Sequence, residues 1–235
     1  MNLLDLAILT ILGLFVIAGI HGGFLKSMSG VVAFFCAVLL AYLIMPATAT
    51  ALHNNDDIYP QLALYTEGAE RIQDFEDSKL IVADVDAEKI ESIIESAKLP
   101  YPMDKVIENN INSLAFEQDG IFTMGEYFNE SIVNFTVNLI SFLLLFIVIR
   151  AILAFIIHGA DYVLKFPVLR RFDGLVGGAF GLIQGIFVLF TIFSLAPLLI
   201  TLVPVDIIRP FIESSFLGNL FYKSNFIASL IRGVI

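Results

Sequence analysis

The chain has 235 residues, of which 58% are hydrophobic and 15% charged, and its mean hydropathy is +0.87. Soluble domains carry about 45–50% apolar and about 25% charged residues, so an ordinary water-soluble domain is excluded. The net charge of −10 belongs to one stretch: residues 53–133 hold 18 acidic and 5 basic residues, the remainder 5 and 8, and no basic face for nucleic acid is visible.

A hydrocarbon core about 30 Å thick takes about 20 apolar residues as a helix, and four stretches meet that length. The first, after Asp5, predicts a helix at about 3–20; the second predicts one at 29–46, with Pro46 near its end. The leader "MNLLD" has no basic residue, so the first span reads as retained rather than as a cleaved signal peptide. Between the two lies "GIHGGFLKSMSG", which reads as a short turn joining antiparallel helices, with Gly22 and Gly23 permitting backbone angles closed to other residues. The single cysteine, Cys36, sits inside the second run, so no intrachain disulfide is possible and thiol metal chemistry is unsupported.

The acidic stretch that follows is expected to be a small helical domain. "DAEKIESIIESAK" places Ile90, Ile93, Ile94 and Ala97 on one helical face, and "MDKVIENNINSL" does the same with Val106, Ile107, Ile111 and Leu114. "LALYTEGAERI" is a weaker third case. "TMGE", Thr123 to Glu126, has the spacing of a capping box and predicts the start of a long helix running into the third span.

The third span is expected at 132–157 and the fourth at 174–197, kinked or ended by Pro197. Beyond it, apolar doublets from Ile207 and Ile208 to Leu230 and Ile231 predict amphipathic helices lying along the membrane interface, with Pro210 suited to a first turn. The resulting division is 1–53, two spans and their turn; 54–131, the acidic helical insertion; 132–203, two further spans; and 204–235, the interfacial tail. Lys26 in the first turn and Lys165, Arg170 and Arg171 in the loop after the third span mark the cytoplasmic side. Both termini and the acidic insertion then fall outside the cytoplasm.

Gly177, Gly181 and Gly185 recur every fourth residue on one face of the fourth span, a pattern that lets helix backbones approach closely in lipid. The neighbour is either the first span, with Gly13 and Gly19, or a second copy of the chain. Arg150 is the one formal charge inside a span; it either serves a function there or reaches the headgroups along its own stem. Asp5 and Asp173 read as end-caps, and Gln184 and Asn138 as bridges between helices. Ser29 and His158 suggest a dyad only weakly, because a serine replaces the first glycine of a Gly-x-Ser-Gly pattern. No metal-ligand spacing or phosphate-binding glycine loop is present, so no catalytic residue, cofactor or metal is expected. The charge of the insertion could hold divalent cations or repel anionic surfaces, and otherwise forms a solvated face.

"GIHGGF" after the first span and "FDGLVGGAFGLIQG" opening the fourth resemble the two conserved regions of the colicin V production protein family. Gly19, Gly23 and Phe24 match the first region, and Gly177, Gly181 and Gly185 the second; "NLLD" resembles the family's opening. Gly22 stands where the family usually has arginine, and Gln184 where it often has a basic residue, so the match carries glycines without those charges. The resemblance implies a multi-pass protein of the bacterial inner membrane, linked to toxin production or export and to envelope homeostasis. The fold class expected is all-α and polytopic, with four transmembrane helices. Its partners would be the bilayer and either a second copy or other membrane proteins. The expected role is that of an accessory factor acting through protein contacts, against a rival reading as a small oligomeric channel or transporter lined by Arg150 and the glycine face.

Overall fold

The structure, a computed structural model, describes residues 2–160, 173–203 and 207–235, without the side chains of 158–160. Its helices in chain order are α1 (Leu3–His53), α2 (Ile58–Tyr65), α3 (Phe75–Ser78), α4 (Ala87–Ser96), α5 (Met103–Asn112), α6 (Met124–Ala160), α7 (Asp173–Phe193), α8 (Ala196–Leu202), α9 (Ile208–Glu213), α10 (Phe216–Lys223) and α11 (Phe226–Ser229). Among the described residues, three helical stretches are long and apolar enough to cross a bilayer: Leu3–His53, Met124–Ile157 and Asp173–Leu202. The chain divides into two compact units.

The first unit comprises residues 1–45, 142–193 and 209–224. Its organising feature is Gly23, which leaves helical angles at φ 77 and ψ 174 and divides α1 into two arms. Both arms lie along α7. From Gly177 to Gly185, α7 meets Gly19, then Phe15, then Leu12, so the first arm runs antiparallel to it. From Asp173 to Phe187 it meets Gly23, then Gly30, then Phe34 and Phe35, so the second arm runs parallel. The chain therefore reverses at Gly23. The turn expected over about eight residues is a break of one: His21, Gly22 and Lys26 are exposed on helix that continues to either side, so their polarity needs no loop. Nor does Pro46 end the second arm, which the helix assignment carries on to His53.

The first arm and α7 touch backbone to backbone. A β-carbon on Gly19 would strike the carbonyl of Gly177, and one on Gly181 the carbonyl of Phe15. At Gly185 it would come within 3.0 Å of the Phe15 β-carbon. On the other flank, Phe34 stacks on Phe187 with centroids 5.0 Å apart and meets Phe146 edge-on at 5.4 Å. Leu3, Leu14, Leu43, Ile147, Phe155 and Leu175 expose more than half their surface, an apolar exterior suited to lipid.

The second unit comprises residues 46–141, 194–208 and 225–235. The apolar faces read from the sequence are its core: Ile90, Ile93, Ile94, Ala97, Val106, Ile107 and Ile111 are buried. Leu114 is not; it lies beyond the end of α5 at φ 47 and is exposed. Of the weaker third pattern only Leu62–Tyr65 is α-helical, as the end of α2, where Leu62 and Ala63 pack against Val133 and Val137; the remainder leaves the helix at Thr66. The capping box is made: Glu126 accepts from the Thr123 amide at 2.9 Å and the Thr123 hydroxyl accepts from the Glu126 amide at 3.4 Å. Pro197 ends no span; α7 stops at Phe193, and Pro197 lies in the first turn of α8, where a missing N–H is harmless.

The end of the tail packs on protein: Ile227, Ala228 and Ile231 are buried within the second unit, and two asparagines hold the backbone beyond α11. Asn138 donates to the carbonyls of Arg232 (2.8 Å) and Val234 (2.9 Å), and Asn110 to the Ser131 hydroxyl (2.9 Å) and the Gly233 carbonyl (3.0 Å).

Tyr59 donates to Glu130 at 3.3 Å, and burial together with that carboxylate pushes its phenol up to about 12. The folded state keeps a proton that the unfolded chain releases near pH 10, so this contribution is complete below pH 10 and is lost as pH rises through about 12. Alkaline absorbance titration is expected to show a phenol titrating near 12 that Tyr59→Phe removes. Replacing Gly23 by alanine forces a side chain into positive φ and is expected to cost about 1–2 kcal/mol in detergent unfolding, whereas Gly22→Ala, which meets only the flexible Lys26 side chain, is tolerated.

Candidate functional site

At the reversal, the helix break frees the Phe24 amide from its own helix. The carboxylate of Asp173, first residue of α7, accepts that N–H at 2.7 Å and packs over Gly23, where a β-carbon would lie 2.5 Å from its Oδ2. A carboxylate there also faces the positive end of the α7 dipole. Asp173 is thus an end-cap that reaches across to a second helix, and the Phe24 ring rests edge-on against Phe180 at 5.3 Å. Asp5 works similarly at the other end of the first arm. Fully buried, it accepts from Ser215 Oγ at 2.6 Å, the Leu217 amide at 2.8 Å and the Asn2 amide at 2.8 Å.

Beside the reversal the first unit has a half-open cavity of about 210 Å³. Phe15, Gly19 and Gly181 form one wall, and Ala154 and Ile157 of α6 another. The polar lining is Lys26, Ser27, Arg150 and Gln184. Glycines make the space: Gly30 lies so close to Gln184 that a β-carbon would sit 2.6 Å from its amide oxygen. Ser27 is buried, with its hydroxyl 3.5 Å from the Gly19 carbonyl. Among the described residues Arg150 and Lys26 have no ion-pair partner, and none of those lining the cavity is acidic, a histidine or a cysteine.

The site residues named from sequence divide accordingly. Gly177 and Gly181 face the first arm together with Gly19, and Gly185 faces Phe15 and Leu12, so the neighbour of this glycine face is the chain's own first arm. Gly178, outside the every-fourth spacing, packs under Ile20, whereas Gly13 faces open space. Ser29 donates to the Lys26 carbonyl at 2.8 Å; the side chain of His158 and the basic loop with Lys165, Arg170 and Arg171 lie outside the described residues. Asn138 bridges the C-terminal backbone instead of a neighbouring span. Among the described residues no cluster of histidine, cysteine, aspartate or glutamate could hold a metal ion. The meeting of Lys26 with Arg150 was not visible in the sequence, since 124 positions separate them and nothing local links them.

An apolar helical exterior, spans packed on bare backbone and a small polar cavity define an integral membrane protein of helical type. The chain belongs to the Colicin V production protein family, which matches residues 4–73 and 121–225. No curated protein and no solved structure matches. The match omits 74–120, the middle of the acidic stretch, and includes both glycine regions.

Removing the Asp173 carboxylate leaves the Phe24 amide without its acceptor. Asp173→Ala is expected to cost about 1.5 kcal/mol in detergent unfolding, and Asp173→Asn, which keeps an acceptor oxygen, to recover part of it.

Proposed function

We propose that this protein is an accessory factor of the bacterial inner membrane, serving toxin production or export or the upkeep of the envelope through contacts with other proteins. The two arms of α1, residues 3–22 and 24–53, count as separate crossings, giving four with α6 and α7; each has at least the roughly 20 residues a hydrocarbon core requires. Four crossings set both termini and the acidic insertion on one face, and the basic residues near the reversal argue that this face is extracytoplasmic. Residues 74–120, which the family does not cover, would be the part particular to this chain and a surface for partners there.

The observation that carries the contact role is the lining of the cavity. Among the described residues its polar lining is two cations, an amide and a hydroxyl, a set that suits recognition of an anionic or polar group. The same cavity favours a second reading, transport, because Arg150 and the glycines Gly19, Gly30 and Gly181 border it.

Crosslinking in native membranes is expected to recover a partner through the acidic insertion, and proteoliposomes holding the protein alone are expected to pass neither ions nor solutes. Flux that Arg150→Ala alters would favour transport instead. In a Cys36→Ser background, Glu76→Cys is expected to react with an impermeant maleimide in spheroplasts, and Gly22→Cys only after lysis.

A further inference from the structure

From the chemistry of this cavity we infer that the membrane unit binds a phosphate monoester, on a lipid or free, between Lys26 and Arg150. Two cations share one small space there. Like charges in a medium poorer than water in screening raise each other's cost, and an arginine in a span is ordinarily paired. Among the described residues this unit has no carboxylate to spare for them: Asp5 is taken by Ser215 and Leu217, Asp173 holds the Phe24 amide, and Glu213 lies 3.8 Å from Arg209. An anion from outside the chain would match both cations.

The lining says which anion. A phosphate monoester carries about −1.5 to −2 at neutral pH, against +2 from the side chains, and three oxygens that take several donors. A carboxylate would leave one cation unmatched. Guanidinium offers a fork that fits phosphate oxygens in pairs, the ammonium a mobile point charge, and Gln184, which has no hydrogen-bond partner among the described residues, two further N–H donors. At about 30 Å³ per water the cavity has room for roughly seven, enough for a phosphate group with part of its hydration. Access is available as well: Lys26 is exposed, three residues past the reversal, hence about 5 Å along the arm and at headgroup depth if the reversal lies at the surface. The inference stands apart from both readings above. Phosphate binding without flux leaves the accessory role intact, and flux without phosphate binding overturns only the present inference.

The test uses the full chain in nanodiscs. Phosphatidic acid mixed into phosphatidylcholine probes the lipid source by native mass spectrometry, and inorganic phosphate titrated into phosphatidylcholine discs probes the free source by calorimetry. At least one probe is expected to bind. Lys26→Gln and Arg150→Gln should each weaken it about tenfold or more, Arg150→Lys should restore part of the loss, and Lys223→Gln, outside the cavity, should change nothing. Should Arg150 variants fail to fold, Lys26→Gln, a change at an exposed side chain, decides alone. Failure of both probes to bind the unaltered protein, equal binding by folded Lys26→Gln, or equal weakening by Lys223→Gln would overturn the inference.

Discussion

The membrane unit depends on one constraint: the first arm of α1 and α7 must meet with no side chain between them. Lipid tails are as apolar as leucine, so burying leucine between helices yields little there, and attraction has to come from close approach itself. Gly19 and Gly177 supply it by standing against each other's carbonyls, and Gly181 against that of Phe15. Close approach also fixes register, because a slip of one residue along either helix would bring a β-carbon onto a carbonyl. With the register fixed, Gly23 falls beneath Asp173, and the chain can turn where the carboxylate waits for the freed amide. The second arm then has only one place to go, along the opposite flank of α7, where Gln184 receives Gly30 and the ring of Phe187 receives Phe34.

What the sequence disclosed and what it withheld follow from range. Patterns with a local cause were legible. The capping box at Thr123 and Glu126 needs only a three-residue spacing, and the buried faces of α4 and α5 only a helical period. The glycine repeat announced a close neighbour but not which one, since a small residue on a face carries no information about what fills the space. The reversal was legible in place and not in extent. Four glycines, a histidine and a lysine look like a loop, yet a helix surface at the membrane boundary accepts the same residues, and a single φ decides between them.

The polar contacts that matter most were the least visible. Asp5 and Asp173 read as simple caps, and each proves to tie together helices far apart in the chain. Asn138 invited a reading as glue between spans because it lies in an apolar run, but its partners are main-chain carbonyls of Arg232 and Val234. Lys26 and Arg150 were weighed singly, one as an orientation signal and the other as an isolated charge. Glycines at 19, 30 and 181 border the cavity that Lys26 and Arg150 share.

The asparagine clamp sets an order of events during biosynthesis. Asn110 and Asn138 emerge from the ribosome well before residues 232–234, whose carbonyls satisfy their amides, and all of α7 is made in the interval. Until then the side chains of the second unit that Ile227 and Ile231 will cover remain bare and two buried-to-be amides remain wet. That half of the molecule can finish only after its last residues are released, so a stalled or truncated product would present an unfinished surface to the cell's quality-control proteases while its spans are already in the bilayer.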